Sequence, residues 1–126
     1  MAFVRVNPNP NNLLTGDCVI RAISMVMDKT WDEVYLELMS YGYNFKDWGN
    51  SNWIWGVYLH NNGFKPYLIT EYVNGRYTVK DFTRDCPECV GVLATGSHVV
   101  AVKYGDYFDT WDSGEEVPLY YWRKED

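Results

Sequence analysis

Apolar and polar positions follow two different periods along the chain. Val19, Ala22, Ile23 and Val26 recur at helical spacing with Arg21, Ser24 and Asp28 opposite, which predicts a first helix over about 18–28. Thr30 and Glu33 have the spacing of a capping box, and Trp31, Val34, Tyr35 and Leu38 continue on one face. A second helix therefore starts at Thr30 and ends near Gly42. After the loop DWGNSN comes WIWGVYLHNNG, where Ser51 is positioned to cap a third helix and Asn62-Gly63 to stop it. A short helix begins at Thr78, in TVKDFTRD.

From Val90 onward the pattern belongs to strands: VGVLAT, HVVAVK, YFDTWD and VPLYYW, joined by Gly-bearing turns. Helices first and strands last predict an α+β domain in which N-terminal helices pack on a C-terminal antiparallel β-sheet. Residues 1–11, rich in Asn-Pro, read as an extended lead-in. Neither an internal repeat nor a long linker divides the chain, so residues 1–126 form one domain, long enough to bury a core without metal or disulfide staples.

Composition narrows the function. Aromatic residues make up 17% of the chain, with six Trp and eleven Tyr, enough to line a cleft as well as fill a core. Trp53, Trp55 and Tyr58 are assigned to core and cleft wall. The net charge is −6 and the Lys and Arg are scattered, so no basic stripe offers phosphate-neutralising contacts and nucleic acid is not an expected partner. The start has no signal-peptide pattern and no stretch approaches the roughly 20 apolar residues of a membrane span. The expectation is a cytoplasmic protein with no membrane partner. Oligomeric state is not legible. Three cysteines, an odd number, argue against a disulfide framework and read as thiols. Cys86-Pro-Glu-Cys89 lacks the second ligand pair that a structural zinc site needs, and a strand rather than a helix follows it.

Cys18 carries the chemistry. It stands at the mouth of the first helix, directly after Gly16-Asp17, where unpaired N–H groups and the helix dipole favour a thiolate. His98, after a Thr-Gly-Ser turn, opens a strand and supplies an imidazole, completing the parts of a Cys–His nucleophile pair. An acid on the neighbouring strand would orient that imidazole. A hairpin centred on Gly105 sets His98 opposite Asp112 and Ala101 opposite Asp109. Asp112 is thus the first choice and Asp109 the second, because a one-residue shift of register exchanges the faces. Trp111 would shield the cleft edge.

These residues resemble those of a small papain-like cysteine peptidase: Cys opening a helix, His opening a strand, then an acid. The resemblance spans about residues 11–122 and implies the family's fold, an amide or peptide-bond hydrolase and a catalytic set of Cys18, His98 and Asp112 or Asp109. It implies that an Asn or Gln about six residues before the nucleophile lends an N–H to the oxyanion, a role that falls to Asn12. WDSG is similar to the family's Asn-Ser-Trp-Gly run. By length the chain is closer to bacteriocin-processing peptidase domains and small cell-wall endopeptidases, and GDCVIRAI with DTWD is similar to small bacterial and phage proteins of no settled activity. The papain Cys-Gly-Ser-Cys-Trp surround is absent. Such chemistry requires no cofactor and no metal. An extended peptide with an apolar or cationic side chain is the expected substrate. Three other readings stay open: Cys18 as a buried small hydrophobe, a papain-like fold kept as a binding or inhibitory module without turnover, and acyl transfer by the same residues in the manner of a transglutaminase.

Overall fold

The computed structural model describes residues 2–70 and 77–125. Met1, residues 71–76 and Asp126, which the single-domain expectation includes, lie outside the described residues. Within them the fold is a mixed α+β arrangement of four helices and a six-stranded sheet.

The first helix, α1, runs Cys18–Met27 and ends at Asp28, which adopts the left-handed conformation at φ 53°. Helix α2, Trp31–Phe45, starts on the capping box as expected: Thr30 Oγ1 accepts the Glu33 N–H, and Glu33 accepts the Thr30 N–H. It does not stop near Gly42. The helix continues to Phe45, and a Cβ on Gly42 would lie 2.6 Å from the Asp47 carbonyl oxygen, so this glycine serves a close backbone approach. Helix α3 occupies Asn52–Asn61. Ser51 precedes it, but its hydroxyl bonds Asp47 Oδ1 and not the helix N–H groups. Helix α4, Val79–Asp85, starts on a second capping box, Thr78 with Asp81.

The strands are β1 (Ala2–Arg5), β2 (Phe64–Leu68), β3 (Val90–Ala94), β4 (Val99–Lys103), β5 (Asp106–Asp109) and β6 (Tyr120–Lys124), in spatial order β1-β5-β4-β3-β6-β2. The expectation of a C-terminal antiparallel sheet is corrected in two respects. The lead-in supplies an edge strand, β1, which pairs in parallel with β5, so the sheet is mixed. In addition, β2 comes from the middle of the chain and pairs with β6 at the other edge. Both strands are short and lie at an edge, where half the backbone groups have no partner and the sequence need show only weak alternation.

Both faces of the central strands are covered, which explains their almost continuous apolar runs. Val92, Ala94, Val99 and Ala101 face a core shared with Ile23 and Val26 of α1, Val34 and Leu38 of α2, and Trp55 and Leu59 of α3. Leu93, Val100, Val102 and Tyr107 face the opposite way, against Val79 and Phe82 of α4. Of the aromatic trio, Trp55 and Tyr58 are buried, whereas Trp53 is exposed and packs edge-on against Phe45.

The β4–β5 turn governs the geometry of the candidate site. Tyr104 and Gly105 both take positive φ, 51° and 87°, the signature of a two-residue turn whose twist suits a hairpin. The ladder accordingly pairs Lys103 with Asp106, Val102 with Tyr107 and Ala101 with Phe108. Ala101 thus faces Phe108 and not Asp109. The register is one residue tighter than a turn centred on Gly105 would give.

Candidate active site

α1 meets the sheet where β3 ends and β4 begins. Cys18 and His98 line one cleft of about 180 Å³ there, with Asn50, Asn52, Trp55 and the Thr95–Ser97 turn around them. Asp17, the residue before the helix, gives no side-chain cap to its N–H groups. Its buried carboxylate instead accepts from Trp31 Nε1 at 2.8 Å and Asn9 Nδ2 at 3.4 Å and is ion-paired with Arg21. The positive end of the helix is therefore left beside Cys18 without a side-chain cap.

His98 is fixed from both ends. Thr95 Oγ1 accepts its backbone N–H at 3.0 Å and the Thr95 N–H donates to its carbonyl at 2.8 Å, which locks the turn. Ring atom Nε2 lies 2.6 Å from Asp109 Oδ2, leaving Nδ1 for the cleft. The Trp111 ring lies 5.0 Å from the imidazole, tilted by 35°, and covers its outer side.

Asp109, not Asp112, reaches His98. The tight turn sets Asp109 one step beyond the Ala101–Phe108 pair and diagonal to His98, on the same side of the ladder. Its carboxylate is 3% exposed and fully engaged: Ser113 Oγ donates to Oδ2 at 2.8 Å, the Thr110 N–H to Oδ1 at 2.8 Å, and Arg21 approaches Oδ1 at 3.4 Å. Asp112 instead accepts the Tyr107 hydroxyl at 2.6 Å and the Gly114 N–H at 3.0 Å. Hydrogen bonding to Tyr107 holds the Asp112 carboxyl below its ordinary value.

Asn12 is also corrected. It is exposed, takes a left-handed φ of 55°, accepts from Asn7 Nδ2 at 3.3 Å and does not line the cleft. The amides that do line it are Asn50 and Asn52, which come after the nucleophile in sequence and fall outside a rule that counts back from it.

Burial works to raise the Cys18 thiol. Hydrogen bonding to His98, the charge of His98, a backbone hydrogen bond from Val99 and the charge of Arg21 outweigh it and bring the thiol below its ordinary value. Burial likewise works to lower His98, but hydrogen bonding to Asp109 and to Cys18, with the charges of both, raises it to about 9. Asp109 stays below its ordinary value despite burial, through the hydrogen bonds from His98 and Ser113. Thiol down and imidazole up is the pattern of a thiolate–imidazolium pair.

The other cysteines are not thiols. Cys86 and Cys89 are joined in a disulfide with Cα atoms 5.5 Å apart, and Cys18 is the free one. An odd number of cysteines excludes complete pairing but leaves room for one local bridge. The sulfurs of the Cys86, Glu88 and Cys89 cluster are bonded to each other, which leaves the Glu88 carboxylate as its one remaining ligand group. A larger hollow of about 320 Å³ near that bridge is lined by Lys103, Arg123, Asp28 and Glu88. Its charges are paired among themselves, and it contains no free thiol.

Arg21 and Asp17 are the parts of this site that pattern reading missed. Arg21 falls on the side of α1 opposite its periodic apolar positions, yet it is 7% exposed. The four-residue spacing from Asp17 to Arg21 was the available signal. No family model, curated protein or solved structure matches this chain. Among the described residues, no helix is long and apolar enough to cross a membrane.

Proposed function

We propose that this protein is a papain-like, cysteine-dependent hydrolase of peptide or amide bonds. The observation that carries the reading is the 2.6 Å contact between Asp109 and His98 Nε2, on a ring that shares its cleft with the lowered thiol of Cys18 at a helix N-terminus. In this reading the Cys18 thiolate attacks the carbonyl carbon, and the Cys18 backbone N–H with an amide from Asn50 or Asn52 receives the developing oxyanion. His98 passes its proton to the leaving amine as the carbon–nitrogen bond breaks, leaving a thioester on Cys18. Water then attacks the thioester, giving a proton to His98, and the carboxylic acid leaves as the carbon–sulfur bond breaks, restoring the Cys18 thiolate beside the His98 imidazolium. Asp109 keeps the ring oriented throughout.

The substrate is an extended peptide with an apolar side chain beside the scissile bond. A second hollow of about 270 Å³ adjoins the cleft and shares Gly16, Val19 and Asn50 with it, while Trp31, Tyr35, Met39 and Trp48 form its apolar wall. Gly16 and Gly96 edge the cleft, and a Cβ on either would touch nothing within 4 Å, so the rim at these two positions is uncrowded. The test is turnover of a peptide–amide library sorted by that side chain. Cleavage after aromatic or large aliphatic residues, abolished by Cys18→Ala, is the expected result. Absence of cleavage across the library, or cleavage that survives Cys18→Ala, overturns the proposal.

A further inference from the structure

Behind the candidate triad lies a second layer of charge. Arg21 sits between two buried carboxylates: one arm of its guanidinium pairs with Asp17 Oδ1 and donates to the Thr15 carbonyl at 3.3 Å, and the other lies 3.4 Å from Asp109 Oδ1. Asp109 therefore offers one oxygen to His98 and the other to Arg21. Among the described residues no buried side-chain nitrogen or oxygen is without a partner, so the layer is closed.

We propose that Arg21 is a positioning residue for the Cys18–His98 pair, restraining Asp109 and setting, against the opposing charge of Asp17, the pH range over which the pair is ionised. This rests on the hydrolase reading of the same site. A buried cation between two carboxylates divides its field between them, and in a low-dielectric interior that division is felt by every charge nearby. Strengthening the hold of Arg21 on Asp109 weakens the pull of Asp109 on the imidazolium. Removing Arg21 leaves Asp17 without a countercharge and Asp109 with His98 as its only one, so two negative charges act more strongly on the thiolate and the imidazolium. Asp17 therefore acts in the opposite sense to Arg21.

The groups facing the pair come from several elements. α1 gives Arg21, the segment before it gives Asp17, and β5 gives Asp109. The Arg5 guanidinium of β1 donates to the Thr110 carbonyl, next to Asp109, and α2 contributes the neutral indole N–H of Trp31. Arg5 bonds a carbonyl, so among the described residues Arg21 is, with His98 itself, the cationic group paired with the triad acid.

The test is the rate of Cys18 alkylation by iodoacetamide across pH, which reads the thiolate directly and needs no substrate. The profile has an acid limb where the pair forms and an alkaline limb where His98 loses its proton. Arg21→Gln removes a positive charge, and both limbs should move to higher pH by about one unit, the low end of what a close charge does. Asp17→Asn removes a negative charge, and both limbs should move to lower pH. Arg21→Lys should restore the wild-type limbs. A purely structural ion pair lowers stability in these variants without moving the limbs in opposite directions. Limbs that stay fixed, or shift the same way in both variants, overturn the proposal. Should Arg21→Gln fail to fold, Asp17→Asn decides alone: an acid shift supports the proposal, and no shift overturns it. A wild-type profile with no His98-dependent limb would instead sink the hydrolase reading on which the proposal rests.

Discussion

The two ends of β4 carry sulfur in opposite states. At one end Cys18 faces His98 beside an uncapped helix N-terminus. At the other, beside the Tyr104-Gly105 turn, Cys86 and Cys89 are bonded to each other, and the Cys89 carbonyl accepts the Tyr104 N–H at 3.0 Å. Five residues of strand separate them, roughly 16 Å. Their chemistry diverges because their neighbours differ. Cys18 has a helix end, an imidazole and an arginine nearby, which favour a thiolate. Cys86 and Cys89 have each other at a spacing that suits a bridge, with Cys89 buried under α4 and β3. Reactivity is a property of the surroundings, and the local fold sets those.

The largest effect expected from this contrast is on turnover. Cys18→Ala should abolish cleavage of peptide amides while leaving thermal stability close to that of the wild type, because Cys18 is only partly buried. A loss in the range of large core deletions, about 2–5 kcal/mol, would instead mark Cys18 as packing.

The next effect separates two carboxylates three residues apart. Asp109→Asn should lower kcat/KM roughly 100-fold or more through mis-orientation of the imidazole. Asp112→Asn should change it by no more than a few-fold, since it releases only the Tyr107 hydroxyl and the Gly114 N–H. Steady-state kinetics on the purified variants checks both, and equal losses would contradict the Asp109 assignment.

That distinction shows how far the sequence carries. Cys18, His98 and the pool of two acids were legible because each sits next to a turn or helix start with its own chemical signal. The choice between the acids was not, because it depends on whether Tyr104 joins Gly105 in positive φ, and a tyrosine in that region leaves no pattern in the chain. The three long helices and the apolar strands β3 and β4 were legible for the reason that packing favours strict periodicity. β1 and β2 were not, since exposed edge strands need no such pattern. The role of Arg21 was not legible, because a polar residue on a helix is ordinarily solvated and only tertiary structure supplies the two carboxylates that let it be buried.

A smaller effect follows from ionisation. His98 is raised from 6.5 to about 9 on folding, so its contribution to stability is full below pH 6.5 and is lost as pH rises through about 9. The lowered Cys18 thiol works the other way, its contribution growing with pH toward the ordinary thiol value of 9.0. In the wild type the two oppose each other. Cys18→Ala removes the opposing thiol and also its share of the His98 shift, so it should expose a fall in stability that begins above pH 6.5 and, with only Asp109 left to raise the imidazole, is complete at a lower pH than in the wild type, measured by urea unfolding; adding Asp109→Asn should flatten it.

The smallest effect belongs to the other end of β4. Replacing Cys86 and Cys89 by Ser opens a loop of very few residues, for which chain-entropy arguments give a loss of about 2 kcal/mol or less. Turnover should be unchanged. A large loss of activity would show that the two ends of the strand are coupled.

The central claim is that Cys18 is a thiolate held by His98 and Asp109, and mass-mapped iodoacetamide labelling across pH tests it most directly. Without reductant, the account predicts label on Cys18 alone, at a rate that is already high well below the ordinary thiol range, with reactivity changing again near pH 9 as His98 deprotonates. In His98→Ala the profile should revert to that of a simple thiol near pH 8.5. An unlabelled Cys18 in folded protein, or a wild-type profile that matches His98→Ala, would contradict it.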